Sequence, residues 1–229
     1  MKREQTTISG RTCFLYRNTE AKCLLIQPVD EHDLEVLDRE VDLIQSLTET
    51  PFCLVALLID DWQRELSPWA APTVFGKTPF GDGASETLAF ISEHLLPSLT
   101  SDGVYDAGQM RLLHGGYSLA GLFALWTAYQ TDLFDGIVAA SPSVWFPHWI
   151  DYATDHRPHA HSIYLSLGDK EEKARNPVMA QVGNAIRRQH ALLAGQKVNT
   201  ILEWNAGNHF VDSEKRMAKG FAWLLNNTK

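Results

Sequence analysis

Hydrophobic residues along this chain follow two alternating patterns, one typical of strands and one typical of helices. Short apolar runs predict seven strands, at residues 12–17, 22–27, 52–59, 111–115, 136–140, 163–167 and 198–204. Between most of these runs, apolar residues recur every three or four positions, as on one face of a helix. Because strands and helices alternate, we expect an α/β fold, with a mostly parallel sheet covered by helices on both faces.

Several residues predict where the helices begin and end. Asp33 is the expected N-cap of the first helix, because its carboxylate precedes an apolar stripe. Asn176 followed by Pro177 predicts the start of a later helix, which Gly195 is expected to end. The other helical stripes are Leu88–Ile91–Leu95 and Met217–Phe221–Leu224, and residues 122–126 are apolar on every side.

The segment 112–121, Leu-Leu-His-Gly-Gly-Tyr-Ser-Leu-Ala-Gly, carries the most specific chemical signal. It reads as an apolar strand, a glycine-flanked turn with Ser118 at its apex, and an apolar helix. This is the pattern of a nucleophile elbow, with Ala120 in the last place of Gly-x-Ser-x-Gly. The alternative is a glycine-rich turn with an incidental serine.

A nucleophilic serine needs a base, and the base needs an acid to orient it. His209 follows the last predicted strand and is the expected base for Ser118. The acid is expected after the strand that ends at residue 167, where Asp169, Glu171 and Glu172 are the candidates. Spacing alone does not choose among these three.

An oxyanion hole is the other requirement of acyl transfer. Its first donor is expected to be the backbone N–H of Leu119, the residue after the serine. The second is expected from the loop after an early strand, at Val29 or Asp30, because Pro28 has no N–H.

Aromatic residues are concentrated where a substrate pocket is expected. Residues 60–84 form a long segment without periodicity, and such segments are often functional. We expect this segment and residues 141–146 to line the active site. The candidate contacts are Trp62, Trp69, Tyr117 and Trp145, and Phe75 is another aromatic residue of the segment 60–84.

Composition limits the classes of protein and partner. The 229 residues are expected to form a single domain, and the net charge of -8 argues against nucleic acid and anionic membranes. No apolar run reaches ~18 residues, and no secretory signal is visible.

Three cysteines in apolar runs, Cys13, Cys23 and Cys53, predict reduced core thiols in a cytoplasmic protein. His156, His159 and His161 lack a metal-site spacing, so no metal is expected.

Four motifs occur in an order that resembles a known family. They are Gly-Tyr-Ser-Leu-Ala-Gly-Leu-Phe at 116–123, Ala-Ser-Pro-Ser-Val-Trp-Phe at 140–146, Gly-Asp-Lys-Glu at 168–171 and Gly-Asn-His-Phe at 207–210. Together they resemble the esterase D-like and enterochelin-type esterases of the α/β-hydrolases, from about residue 21 onward. The resemblance implies an α/β-hydrolase fold, with Ser118 as nucleophile, His209 as base and Glu171 as acid. The sequence departs from the family at Ala120 and lacks a His-Gly-Gly oxyanion loop.

These observations predict a carboxylic-ester hydrolase that acts through an acyl-enzyme on a small-molecule ester. Such a triad requires no metal and no organic cofactor. The alternatives are a thioesterase, acyltransferase or peptidase on the same triad, or a non-catalytic binding protein of the same fold. The sequence leaves the oligomeric state open.

Overall fold

The computed structural model of the chain describes residues 1–74 and 76–227, so Phe75 lies outside the described residues. Eight strands form one sheet in the order β1-β2-β4-β3-β5-β6-β7-β8. Their bounds are β1 Arg3–Ile8, β2 Arg11–Tyr16, β3 Cys23–Val29, β4 Phe52–Leu58, β5 Arg111–Tyr117, β6 Gly136–Ala140, β7 Ser162–Gly168 and β8 Asn199–Asn205.

The sheet is parallel from β4 to β8, and antiparallel only at the edge formed by β1 and β2. The mostly parallel sheet is therefore confirmed, but the count of seven strands was wrong. The additional strand is β1, which is polar enough to escape an apolar-run criterion because much of it is exposed. Ser9 and Gly10, both with positive φ, form the tight turn between β1 and β2.

Helices cover both faces of the sheet, as predicted. Their bounds are α1 Glu31–Leu47, α2 Trp62–Glu65, α3 Ala84–Phe90, α4 Leu96–Ser101, α5 Ser118–Gln130, α6 Trp149–Asp155, α7 Val182–Gly195 and α8 Ser213–Asn227. A π-helical segment, Ile91–Leu95, joins α3 to α4. Helices α1 and α8 share one core with the sheet, whereas α3 to α7 pack on the opposite face. Residues 119–129 of α5 are all buried, in agreement with their uniform apolarity.

Two predicted helix starts differ from the structure. The N-cap of α1 is Asp30, and Asp33 occupies the third helical position, where the two residues form a reciprocal capping box. Asn176 accepts hydrogen bonds from the N–H groups of Val178 and Met179, but a 3₁₀ turn intervenes before α7 begins at Val182. The predicted end at Gly195 is confirmed.

The cysteines are buried free thiols, as expected for core residues. Within residues 1–74 and 76–227, no helix is long and apolar enough to cross a membrane. The same part of the chain contains no group of three or more His, Cys, Asp or Glu side chains arranged to hold a metal ion. The six parallel strands bring their carboxyl ends to one edge of the sheet, where ligands bind in this class of fold.

Candidate active site

Ser118 lies at the sharp turn between β5 and α5. Its φ of 58° is left-handed, a conformation that a non-glycine residue adopts only when its surroundings enforce it. The turn is tight because a Cβ at Gly116 would overlap the backbone of Ala120. A Cβ at Gly121 would lie 2.9 Å from the carbonyl oxygen of Gly116. Small residues are thus required at 116 and 121, and this close packing presents the serine above the end of the sheet.

Ser118, His209 and Glu171 form one chain of hydrogen bonds. The Oγ of Ser118 lies 3.0 Å from Nε2 of His209. The Nδ1 of the same ring lies 2.7 Å from Oε2 of Glu171. The serine follows β5, the glutamate follows β7 and the histidine follows β8. Each of the three residues therefore comes from the carboxyl end of a different strand.

The second oxygen of Glu171 accepts three further hydrogen bonds. Its Oε1 accepts from the Ser141 hydroxyl at 2.7 Å, the Gly168 N–H at 2.7 Å and the Arg216 guanidinium at 2.8 Å. Burial raises the pKa of Glu171, but hydrogen bonds from His209, Ser141 and Gly168 outweigh it and hold this pKa below its ordinary value. The carboxylate is therefore held ionised in a buried position.

Arg216, which the sequence interpretation missed, is the centre of this network. It projects from α8, is only 1% exposed, and also donates to the Tyr117 hydroxyl and to the carbonyl of Asn208. The Tyr117 hydroxyl in turn donates to the carbonyl of His209 at 2.8 Å. Arg216 thus connects the glutamate to the loop that carries His209, directly at Asn208 and through Tyr117 at His209.

The other two candidate acids lie in different surroundings. Asp169 is exposed, and its carboxylate accepts from the N–H of Gly207, which braces the loop before His209. Glu172 forms an ion pair with Arg187 at 2.9 Å. Of the three carboxylates, the structure brings only Glu171 to the histidine.

Leu119 and Asp30 differ in how their backbone N–H groups are placed. Leu119 is the second residue of α5, and N–H groups in a first turn have no partner within their helix. The N–H of Asp30 donates to the Asp33 carboxylate in the capping box, so it is already engaged. Val29 is buried in β3, where it pairs with Leu58. Leu119 is the donor that the geometry favours.

Two cavities meet at His209 and Phe210. The smaller, of about 160 Å³, is lined by Ser118 together with Trp62, Tyr117 and Asp30. The larger, of about 440 Å³, is lined by Glu171 and Ser141 from the acid side of the site, and by apolar side chains. These apolar residues are Trp145, Ala174, Met179, Val182 and Phe210.

Three of the four described aromatic candidates line these cavities. Trp62 and Tyr117 line the smaller cavity, and Trp145 lines the larger. Trp69 instead packs against Phe146 and Tyr152, and its indole N–H donates to the carbonyl of Pro147. It supports the aromatic core beneath the segment 141–146 and is not among the residues that line either cavity.

Solved structures place this architecture in a known fold. The siderophore hydrolases EstA and EstB from Aspergillus nidulans are 18% and 16% identical to this chain, with TM-scores of 0.73 and 0.75. These matches cover 100% and 97% of this chain, and 95% and 94% of those chains. The fold is that of the α/β-hydrolases. No protein-family model and no curated protein sequence matches the chain.

A third solved structure among the matches is of a longer chain. It is the enterobactin esterase FES from Shigella flexneri in the presence of enterobactin, 16% identical with a TM-score of 0.69. This match covers 97% of the present chain and 59% of FES. The predicted α/β-hydrolase fold is confirmed, and the resemblance to enterochelin-type esterases holds at the level of the fold.

Proposed function

We propose that this protein is a serine hydrolase that cleaves carboxylic esters through Ser118, His209 and Glu171. The observation that carries this proposal is the continuous chain of two hydrogen bonds, of 3.0 and 2.7 Å, from the serine to the glutamate. The side chains of Ser118 and His209 are partly exposed, so a substrate reaches them while the acid stays buried.

Acylation begins when Ser118 Oγ attacks the ester carbonyl and transfers its proton to His209 Nε2. The Nδ1–H of His209 donates to Glu171 Oε2, which fixes the tautomer and stabilises the imidazolium that forms. The Leu119 N–H, at the positive end of the α5 dipole, stabilises the oxyanion. Collapse of the tetrahedral intermediate breaks the carbon–alkoxide bond, and the alcohol leaves with the proton of His209.

Deacylation repeats these steps with water. His209 takes a proton from a water molecule, whose oxygen attacks the acyl carbon that is bonded to Ser118. The carbon–Oγ bond then breaks, and the serine regains its proton from His209. Acylation and deacylation as written use only the ester, water and residues of this chain.

The names of the similar solved structures favour ester hydrolysis over other acyl transfers. EstA and EstB are named as siderophore hydrolases and FES as an enterobactin esterase. At 16–18% identity these names support the type of bond that is cleaved in this chain, not its substrate. Comparing kcat/KM on matched ester, thioester and amide substrates distinguishes an esterase from a thioesterase or peptidase.

The deciding test is substitution of the nucleophile. Ser118→Ala is expected to lower kcat for p-nitrophenyl acetate by a factor on the order of 10⁶, as in other triads. A fluorophosphonate probe is expected to label the unsubstituted protein at Ser118, which mass spectrometry of the labelled peptide identifies.

Ser92→Ala is the matched control, because this residue lies on the exposed side of the π-helical segment and, among the described residues, its hydroxyl hydrogen-bonds only to the carbonyl of Ala89. It is expected to keep full turnover. Unchanged turnover in Ser118→Ala would refute the proposal, and absence of labelling in folded protein would favour a non-catalytic binding protein.

A further inference from the structure

The two cavities at the site are unequal, and the reaction assigns a different part of the ester to each. Both cavities contact His209, but only the cavity of about 160 Å³ is lined by Ser118 and only the cavity of about 440 Å³ is lined by Glu171. The acyl group becomes bonded to Ser118 Oγ, so it occupies the cavity that the serine lines. The alcohol receives its proton from His209, which both cavities contact, so it occupies the other cavity.

Size therefore separates the two halves of the substrate. The larger cavity is within the range of ~300–1,000 Å³ that is typical of sites for drug-sized ligands, and the smaller is below it. Phe210 is 87% exposed and stands between the two cavities, in edge-to-face contact with His209. An exposed phenylalanine at this position offers the bound alcohol an apolar surface.

Charge distinguishes the cavities as well. Lys170 and Lys173 line the larger cavity, and Asp30 and Asp33 line the smaller. Among residues 1–74 and 76–227, neither lysine ammonium lies within ion-pair distance of a carboxylate.

The carboxylates nearest in sequence to the two lysines have other partners. Glu171 is bound to Arg216 and His209, and Glu172 is paired with Arg187. A protein of net charge -8 thus places two unpaired cations at the wall of its largest site cavity.

Building on the proposed function, we propose that the substrate is an ester of a small acyl group with a bulky apolar alcohol that carries an anionic substituent. The alcohol occupies the larger cavity, where its apolar body contacts Trp145, Met179 and Phe210. Its anionic group lies at Lys170 and Lys173. The acyl group occupies the cavity of Ser118, Trp62 and Tyr117.

Paired substrates test this assignment. The first pair is 4-acetoxyphenylacetate and its neutral N-methylamide, in which a methylene group insulates the phenol from the charge. The second pair carries the charge on the acyl side, as monophenyl succinate and neutral phenyl butanoate. At low ionic strength we expect kcat/KM to favour the anion about tenfold in the first pair, the size that two partly exposed ion pairs supply together. We expect no preference for the anion in the second pair.

Substitution of the two lysines tests the residues. In the double variant Lys170→Gln with Lys173→Gln, the tenfold ratio is expected to fall towards one, and Lys170→Glu with Lys173→Glu is expected to invert it. Fluorophosphonate labelling of Ser118 in each variant confirms that its site is folded. The control, Lys2→Gln with Lys22→Gln, removes two exposed cations that precede β1 and β3, away from the carboxyl edge, and is expected to keep the ratio. Added salt should weaken the preference in the unsubstituted protein.

The outcomes separate this inference from the proposed function. The inference is overturned if the kcat/KM ratio of the first substrate pair is near one, or if the lysine substitutions leave that ratio unchanged. Turnover of esters and labelling of Ser118 would then still support the serine hydrolase. Increasing kcat/KM from acetyl to dodecanoyl p-nitrophenyl esters would overturn the assignment of the small cavity to the acyl group. If the unsubstituted protein neither hydrolysed any ester nor was labelled at Ser118, both the inference and the proposed function would be refuted.

Discussion

Glu171 and Glu40 are both buried glutamates, at 6% and 3% exposure, yet their pKa values move in opposite directions. Glu171, beyond β7, accepts from His209, Ser141, Gly168 and Arg216, and its pKa lies below the ordinary value. Glu40, on α1, has one donor, the Gln27 amide at 3.3 Å. Burial raises the pKa of Glu40 well above its ordinary value of 4.5.

The difference shows that hydrogen-bond donors, not depth of burial, decide whether a buried carboxyl keeps its charge. Burial alone disfavours the ionised form of both residues. At the carboxyl edge of the sheet, the fold supplies Glu171 with enough donors to reverse that effect. The buried anion therefore lies where His209 needs an acceptor, whereas burial under α1 favours the neutral form of Glu40.

For this pair of glutamates, the largest expected effect comes from removing the charge of Glu171. Glu171→Gln leaves the shape of the site but allows an amide N–H₂ to face His209 Nδ1, which favours the wrong tautomer for a base. We expect kcat for p-nitrophenyl acetate to fall by about 10⁴, as when the acid of other triads is made an amide. Steady-state kinetics at neutral pH measures this.

Glu40→Gln is the matched control for that change, because it is the same substitution at another buried glutamate. Its kcat is expected to stay within about twofold, since burial favours the neutral form of Glu40 and its hydrogen-bond partner is Gln27 and not a triad residue. Equal losses of kcat in the two variants would show that the charge of Glu171 has no special role in the reaction.

The next effect concerns the cation that supports Glu171. Arg216→Met leaves a buried carboxylate without its guanidinium, and we expect the free energy of unfolding to fall by about 3 kcal/mol. Urea unfolding measures this loss. Arg187→Met is the control, because its ion pair with Glu172 is partly exposed and is expected to contribute less than about 1 kcal/mol. Similar losses in the two variants would mean that Arg216 acts as an ordinary surface arginine.

Local patterns predicted the elements that place the nucleophile. The elbow at Ser118 could be identified because its small residues, strand and apolar helix are adjacent in sequence. The strand at 136–140 was likewise predicted with the bounds of β6. The edge strand β1 was missed, and the N-cap of α1 was placed at Asp33, because Asp30 and Asp33 cap each other and either fits the pattern.

The network around Glu171 could not be predicted in the same way, because its members are distant in sequence. Arg216 contacts Tyr117, Ser141 and Glu171, which lie 99, 75 and 45 residues away. An arginine on an amphipathic helix is normally read as exposed. One local feature of the sequence pointed to a buried position for Arg216. It lies four residues before Gly220, beside the apolar stripe of α8.

Ser141 provides a smaller test of the donors around Glu171. Its hydroxyl donates to Glu171 Oε1 and accepts from Arg216, so Ser141→Ala removes one of four hydrogen bonds to the carboxylate and raises its pKa. We expect kcat to fall about tenfold, which corresponds to the ~1–1.5 kcal/mol of one hydrogen bond. The control is Ser46→Ala, on the exposed side of α1, whose hydroxyl donates to the carbonyl of Leu43 and to no other group among the described residues. An unchanged kcat in Ser141→Ala would show that the remaining donors suffice.

The smallest effect should appear in the stability of the core at Glu40. A carboxyl whose folded pKa exceeds its unfolded pKa binds its proton more tightly when folded, so stability is lost as pH rises above about 4.5. Glu40→Gln removes this loss, and its amide donates to the Gln27 oxygen that has no partner among the described residues. We expect a gain of about 1 kcal/mol in urea unfolding at pH 8, and less at pH 5. Glu31→Gln, at the exposed start of α1, should give no such gain. A loss of stability at pH 8 in Glu40→Gln would mean that Glu40, like Glu171, keeps its charge in the folded protein.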